Sequence, residues 1–202
     1  MMGAAEGPVL EGYAALAFLA AHTSRAKLLA LATPASYRHP GLLAKTATTL
    51  DVVSGGRAWL GIGAGDYEAE ARGLGIPYPP LAERYEPLED AVRVCRRMWS
   101  GEQGDDRPFA GIHARLERPL NPPHCLSRPH PPILIGESGE RRTLPLVARY
   151  GDACNLRPSP EIPRQLDYST APARPGGETT TRSRRPPSSA STSARTAPGG
   201  AS

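Results

Sequence analysis

Apolar positions recur along residues 37–70, YRHPGLLAKTATTLDVVSGGRAWLGIGAGDYEAE, in two successive periods. Leu42, Leu43, Thr46, Ala47, Leu50 and Val53 fall at three- and four-residue spacing, which predicts one apolar helical stripe. Pro40 suits a first helical turn, and Ser54-Gly55-Gly56 supplies a left-handed stop. Ala58-Trp59-Leu60-Gly61-Ile62-Gly63 then runs apolar without alternation, the pattern of a parallel strand buried on both faces. Its carboxyl end leads into Gly65 and Asp66, where α/β folds gather their ligands.

The same reading extends in both directions. Residues 11–21, with Tyr13, Leu16, Ala17 and Ala20, predict an amphipathic helix, and residues 25–33, RAKLLALAT, an apolar strand. A Gly- and Pro-rich loop over 65–80 precedes a long helix over 81–99. That helix buries Leu88, Ala91, Val92, Cys95, Met98 and Trp99 and tolerates Pro87 only near its start. Residues 109–116, with Gly111 at the turn, predict a short hairpin, and 119–132 a proline-crowded loop. Ile133-Leu134-Ile135 is a third strand, 140–150 a helix carrying Pro145, and 152–156 a fourth strand. Strand and helix alternate, so a parallel α/β sheet with helices on its outer side is expected.

From Arg157 onward large apolar residues and periodicity vanish. Such a segment cannot bury enough surface to offset its ordering entropy. The chain therefore divides into a folded unit over 1–156 and a low-complexity Pro/Arg/Ser/Thr tail over 157–202, expected to be disordered. A natural tail and out-of-frame translation of GC-rich DNA both give this composition; the abrupt change after Leu156 favours the second.

Composition narrows the class. Aromatics are only 5% of the 202 residues, so the core must lean on Ala, Leu, Ile and Val. The net charge of +4 owes much to the arginine-rich tail. Aromatic stacking residues are missing beside the basic runs, which argues against nucleic-acid binding. No apolar run approaches the roughly 18 residues of a membrane span. The start MMGAAEGPVL lacks a charged region before a hydrophobic stretch, so no signal peptide is expected and the location is cytoplasmic. Cys95, Cys125 and Cys154 form no CxxC pair; Cys95 and Cys154 read as core thiols. His113, His124 and His130 lack metal-ligand spacing, so no metal is assigned. No GxSxG elbow suggests a hydrolase.

Three segments carry a family resemblance: ATPASYRHPGLLAKTATTLDVVSGGRAWLGIGAG, IPYPPLAERYEPLEDAVRVCRRMWSGE and PPILIGESGERRTLPLVARYGDACNL. In this order and spacing they resemble the bacterial luciferase-like superfamily, TIM-barrel oxidoreductases that use a flavin or the deazaflavin coenzyme F-420. The resemblance implies a partial TIM (β/α)8 barrel, about strands three to six, truncated at both ends. A whole barrel takes about 250 residues. The implied function is a luciferase-like oxidoreductase or monooxygenase using FMN or F-420 on a small-molecule substrate, in a homodimer and incomplete as written. A non-catalytic fragment or partner subunit of such a barrel is the alternative.

The resemblance also nominates a site. Gly61, Gly63 and Gly65 would let a planar cofactor ring approach the backbone, although a tight strand-to-loop turn explains them equally; they do not form a dinucleotide GxGxxG. In deazaflavin-dependent relatives an acid at the place of Asp66 exchanges a proton at the reacting face. Partial removal from water would raise its pKa to suit that role. Many flavin relatives have an aromatic residue there, so Asp66 leans toward F-420; an Asp capping the turn is the plainer account. Ala30 and Leu31 lie on the strand that, in the family, bulges behind the cofactor's central ring around a non-prolyl cis peptide, here the Ala30–Leu31 bond by position. Gly136, Ser138 and Gly139 match a loop that binds the cofactor phosphate at a helix start. Glu137 departs from that pattern and would repel phosphate, which Arg141 and Arg142 can offset. His39, at another helix start, can donate to a cofactor group or serve structure alone.

Overall fold

Leu60, Gly61, Ile62 and Gly63 are all buried, which calls for flanking strands on both sides. The computed structural model, which describes residues 7–101, 104–136, 142–156 and 160, supplies them. Its elements run α1 (Gly12–His22), β1 (Thr33–Pro34), a 3-10 turn (Ala35–Tyr37), α2 (Pro40–Val53), β2 (Leu60–Gly63), α3 (Glu68–Gly73) and α4 (Leu81–Met98). A hairpin of β3 (Phe109–Ala110) and β4 (Arg115–Leu116) follows, then β5 (Ile133–Gly136), α5 (Thr143–Tyr150) and β6 (Ala153–Asn155). The main sheet has the order β1-β2-β5-β6, parallel throughout. Neighbouring helices pack in the matching order α1, α2, α4, α5, one layer over the strands. The four expected strands thus share one sheet, and the hairpin falls where the sequence put it.

Four details differ from the sequence reading, each for a physical reason. The strand expected over 25–33 is interrupted: Leu28 bridges to Ala58, then pairing resumes only at Thr33 opposite Ile62. Five residue steps on this strand face four on β2, so one extra residue bulges out. The α2 stripe is rotated; Leu42 and Val53 are each 58% exposed, whereas Thr48 and Asp51 face inward. Both polar groups are satisfied there. Asp51 accepts from the backbone N–H of Leu126 at 2.7 Å and of Ser127 at 2.9 Å, and from Ser127 Oγ at 2.6 Å. Thr48 Oγ1 donates to the Ala44 carbonyl at 2.8 Å and accepts from Trp99 Nε1 at 2.9 Å. A periodicity rule that scores polar residues as outward misses such positions.

The third difference is α3, a short helix inside the segment read as loop. The fourth is α1, which is apolar around its whole circumference rather than amphipathic. It buries only Tyr13 and Ala20, while Phe18 is 65% exposed. Arg57 anchors its far end. Nε donates to the Ser54 carbonyl at 2.7 Å, Nη1 to Thr23 Oγ1 and the Ala26 carbonyl at 2.9 Å, and Nη2 to the Ala20 and Thr23 carbonyls at 2.9 and 2.8 Å. All the guanidinium donors are used, so the buried charge is compensated. Pro40 and Pro145 sit in the first turns of α2 and α5, where missing amide hydrogens cost least, whereas Pro87 lies in the second turn of α4 and gives up one helical hydrogen bond. Cys95 is fully buried, as a core thiol should be, while Cys154 is only partly so. Arg141 and the tail, Pro160 apart, lie outside the described residues.

Candidate functional site

Parallel strands put their carboxyl ends on one rim, and the register says which residues meet there. Pro34 pairs with Gly63, and Gly136 with Asn155; the Ile62–Ile135 pair places Gly63 beside Gly136. The row is therefore Pro34, Gly63, Gly136, Asn155, with Gly61 two residues beneath it on β2. Asp66 emerges three residues past Gly63, so these expected site residues share one end of the sheet. Ser138, Gly139 and Glu137 lie outside the described residues. Asn155 was missed in the sequence, where a lone polar residue closing the apolar strand was its only signal.

The bulge between Leu28 and Thr33 decides what this rim presents. The Ala30 carbonyl turns against β2, and a Cβ on Gly61 would lie 2.1 Å from that oxygen and 2.7 Å from Leu29 Cδ1. Gly61 is thus required by the neighbouring backbone. Among the described residues Ala30 makes the close approach to Gly61. The non-prolyl cis bond is present but falls at Leu31–Ala32, one residue later than the Ala30–Leu31 bond expected. The reason is that Ala30 is committed to packing on Gly61, which leaves the next two residues to turn outward. Leu31 is 61% exposed, and Ala32 Cβ reaches over the sheet to within 3.3 Å of a Cβ built on Gly136. A flat apolar ledge, Leu31–Ala32, results, backed by two glycines.

Beyond the ledge, the glycine turn is braced from α4. Gly65 has a φ of +85°, a left-handed conformation that β-carbon-bearing residues adopt at a cost. Arg84 donates through Nη1 to the Gly65 carbonyl, and to that of Ala64 at 3.4 Å. Its guanidinium stacks 3.9 Å from the Tyr78 ring centre. The charged arm is buried, so it acts as a strut for the turn that carries Asp66. Nothing in the sequence separates Arg84 from the solvated arginines of the same helix. Asp66 itself is exposed, and the shelter from water expected for it is not supplied by the described residues.

Tyr37, in the 3-10 turn after β1, donates its hydroxyl to Glu70 Oε2 of α3 at 2.8 Å. Burial, and next the hydrogen bond to Glu70, hold the phenol above its ordinary pKa; the negative charge of Asp66 acts in the same direction. Tyr37 therefore stays protonated beside the acidic turn. Deeper, Thr33 Oγ1 donates to the buried Tyr13 hydroxyl at 3.0 Å, and the Arg38 guanidinium lies 4.8 Å from the Tyr13 ring centre. His39 Nδ1 accepts from the Gly41 N–H at 3.2 Å, which makes it the cap of α2. A cleft of about 200 Å3 opens nearby, with Arg38, His39, Asp90 and His113 on its walls. Among the described residues no group of three or more His, Cys, Asp or Glu is placed to hold a metal ion.

A parallel sheet with helices on its outer layer and a glycine-rich rim at the carboxyl ends is the arrangement of a segment of a (β/α)8 barrel. The family model for luciferase-like monooxygenase matches residues 2–181. The chain belongs to this family. It is 38% identical over 137 residues to an F420-dependent glucose-6-phosphate dehydrogenase from Beutenbergia cavernae, a match covering 66% of this chain and 38% of that protein. It is 31% identical over 134 residues to an FMNH2-dependent dimethylsulfone monooxygenase from Pseudomonas putida, covering 66% and 36%. Among solved structures, monooxygenase RslO1 from Streptomyces bottropensis superposes with a TM-score of 0.70 at 27% identity, over 81% of this chain and 49% of that one. The coenzyme F420-dependent tetrahydromethanopterin reductase from Methanopyrus kandleri shares the fold, with a TM-score of 0.66 at 22% identity over 79% and 50%. The chain thus spans little more than a third of the length of these curated relatives and about half that of the solved structures.

Proposed function

We propose that this chain furnishes the ring-holding part of a luciferase-like oxidoreductase that moves a hydride, or activates oxygen, on a tricyclic flavin or deazaflavin. The observation that carries this reading is the outward turn of Leu31 and Ala32 at the carboxyl ends of the strands, where Ala30 lies against Gly61 and Ala32 lies over Gly136. A planar ring can lie against such a ledge because its two exposed side chains are apolar. When bound, the ring would supply the redox chemistry; the chain's share is to support it, keep water from one face and offer polar groups at its margin. Gly63, Gly65 and Asp66 continue that margin on β2. The Gly136 end, with Ser138 and Gly139 beyond it, is the proposed berth of the cofactor phosphate.

Coenzyme F-420 is the favoured partner and FMN the runner-up. Asp66 supports this order, since an exposed carboxylate at the ring margin can exchange a proton with water and with substrate. The names of relatives point to both cofactors. We further assign a small-molecule substrate, a cytoplasmic site of action and pairing of two copies, the last favoured by the uncovered apolar surface of α1. Among the described residues no helix is long and apolar enough to cross a membrane.

Titrating the purified chain with F-420 and, separately, with FMN tests the reading. A saturable change in ring absorbance or fluorescence is expected, stronger for F-420 and abolished by Gly136→Val. Absence of any spectral change with both cofactors, in chain shown to be folded by circular dichroism, would overturn it.

A further inference from the structure

We propose that the cleft between the last turns of α4, the start of β3 and the end of α5 binds a phosphorylated small molecule through its phosphate oxygens. This site is independent of the cofactor reading. It lies far from the rim: α4 rises about 1.5 Å per residue, so Arg93 to Arg97 stand roughly 14–20 Å along the helix from Arg84.

The cleft, about 400 Å3 in volume, is walled by the guanidiniums of Arg93, Arg96, Arg97 and Arg107. Two aromatic rings lie beside them. Arg93 and Arg97 lie 5.3 and 5.9 Å from the centre of Phe109, and Arg96 lies 5.8 Å from that of Tyr150. The acidic complement is thin. Asp105 is shared by Arg97, at 3.1 Å, and Arg107, at 2.7 Å. Asp90 meets Arg93 at 3.5 Å but spends its other oxygen on the backbone N–H groups of His113 and Ala114. Arg96 donates to a neutral acceptor, the Arg149 carbonyl at 3.1 Å, and has no carboxylate in ion-pair range among the described residues.

Charge arithmetic favours an anion. Four guanidiniums stand against two carboxylates, and the α4 carboxyl end adds roughly half a negative charge, which leaves an excess of about 1.5 positive charges. Arginine forks fit tetrahedral oxyanions bidentately, and several forks on one concave wall suit a group with oxygens on every side better than a flat carboxylate. The hydrogen bonds from Arg107 hold the Asp105 carboxyl far below its usual range, so Asp105 remains an anionic occupant that a phosphate must displace. Asp105 is the internal competitor of the site.

Isothermal titration of the full chain with inorganic pyrophosphate at low ionic strength is the test. Saturable one-to-one binding is expected in the wild type. The double variant Arg96→Ala, Arg107→Ala should bind at least tenfold more weakly, and Arg72→Ala, on α3, should bind unchanged. Asp105→Asn should bind severalfold more tightly, because it frees two guanidiniums. Pulse proteolysis at nanomolar chain concentration gives the same ranking from protection by pyrophosphate, so aggregation does not hide the answer. No binding by either measurement in the wild type overturns the proposal. So does equal weakening by Arg72→Ala, or an Asp105→Asn variant that binds no better than wild type. The last result is decisive even where the double variant fails to fold.

Discussion

Gly61 sets the tightest steric condition at the candidate site. A methyl group 2.1 Å from the Ala30 carbonyl has no room, and the obstacle is backbone. Gly61→Ala should therefore cost about 1–3 kcal/mol by overpacking and push the ledge outward. Thermal unfolding and the F-420 titration together check this, and an unchanged midpoint with intact binding would contradict it. Arg57→Ala should cost about 3 kcal/mol, because it strands the buried Ala20 carbonyl and the half-buried Thr23 carbonyl. Tyr37 gives a prediction in pH. Its folded-state pKa lies above the unfolded value of 10, so its protonated form contributes stability that is complete below pH 10 and lost as pH rises beyond it. Following unfolding between pH 8 and pH 11, as a chosen range of about three units, should show a loss at the alkaline end that Tyr37→Phe diminishes.

At the level of elements, α2 shows how far the sequence could be read. Its ends were legible because Pro40 and Ser54-Gly55-Gly56 are local signals, and they coincide with Pro40–Val53 in the structure. Its buried face was not, because the partner of Asp51 is a loop some 75 positions away in the chain, and no local pattern encodes that. The same holds for Arg84 and Arg57, whose roles depend on carbonyls brought up by other elements. The glycine row was legible, since parallel strands oblige glycines at strand ends to share a rim. What Gly61 packs against was not, because the bulge needs knowledge of both strands. Asp51→Ala should release the loop over 119–132 from α2. Amide exchange at Leu126 and Ser127 should then rise to the level of exposed loops, and protection unchanged from wild type would refute the anchoring role.

For the molecule as a whole, the described sheet has two edges, β1 and β6, whose outer sides have no described strand partner. The α1 surface beside one edge is apolar, with Phe18 and Leu19 at 65% and 44% exposure. Edges and patches of this kind invite association. The purified 202-residue chain is accordingly expected to self-associate with rising concentration in sedimentation and to turn over far more slowly than a full-length relative. Phe18→Glu should shift the sedimenting species toward monomer without lowering the unfolding midpoint. Turnover equal to that of a full-length relative would show that association completes the barrel wall.

The extra residue between Leu28 and Thr33 has one more consequence, which concerns parity. Side chains on an unbroken strand alternate in face, so positions an odd number apart point to opposite sides. Leu28 and Thr33 are an odd number apart, yet both are buried, at 3% and 5% exposure. The bulge inverts the phase between them. Deleting one residue from 29–32 would set Leu28 and Thr33 four positions apart, as their partners Ala58 and Ile62 are, so both side chains would keep their inward face with no bulge between them. Loops ordinarily absorb a one-residue deletion. Here the same change would keep the core in phase and remove the outward turn at Leu31 and Ala32, so the sheet should persist while the ledge is lost.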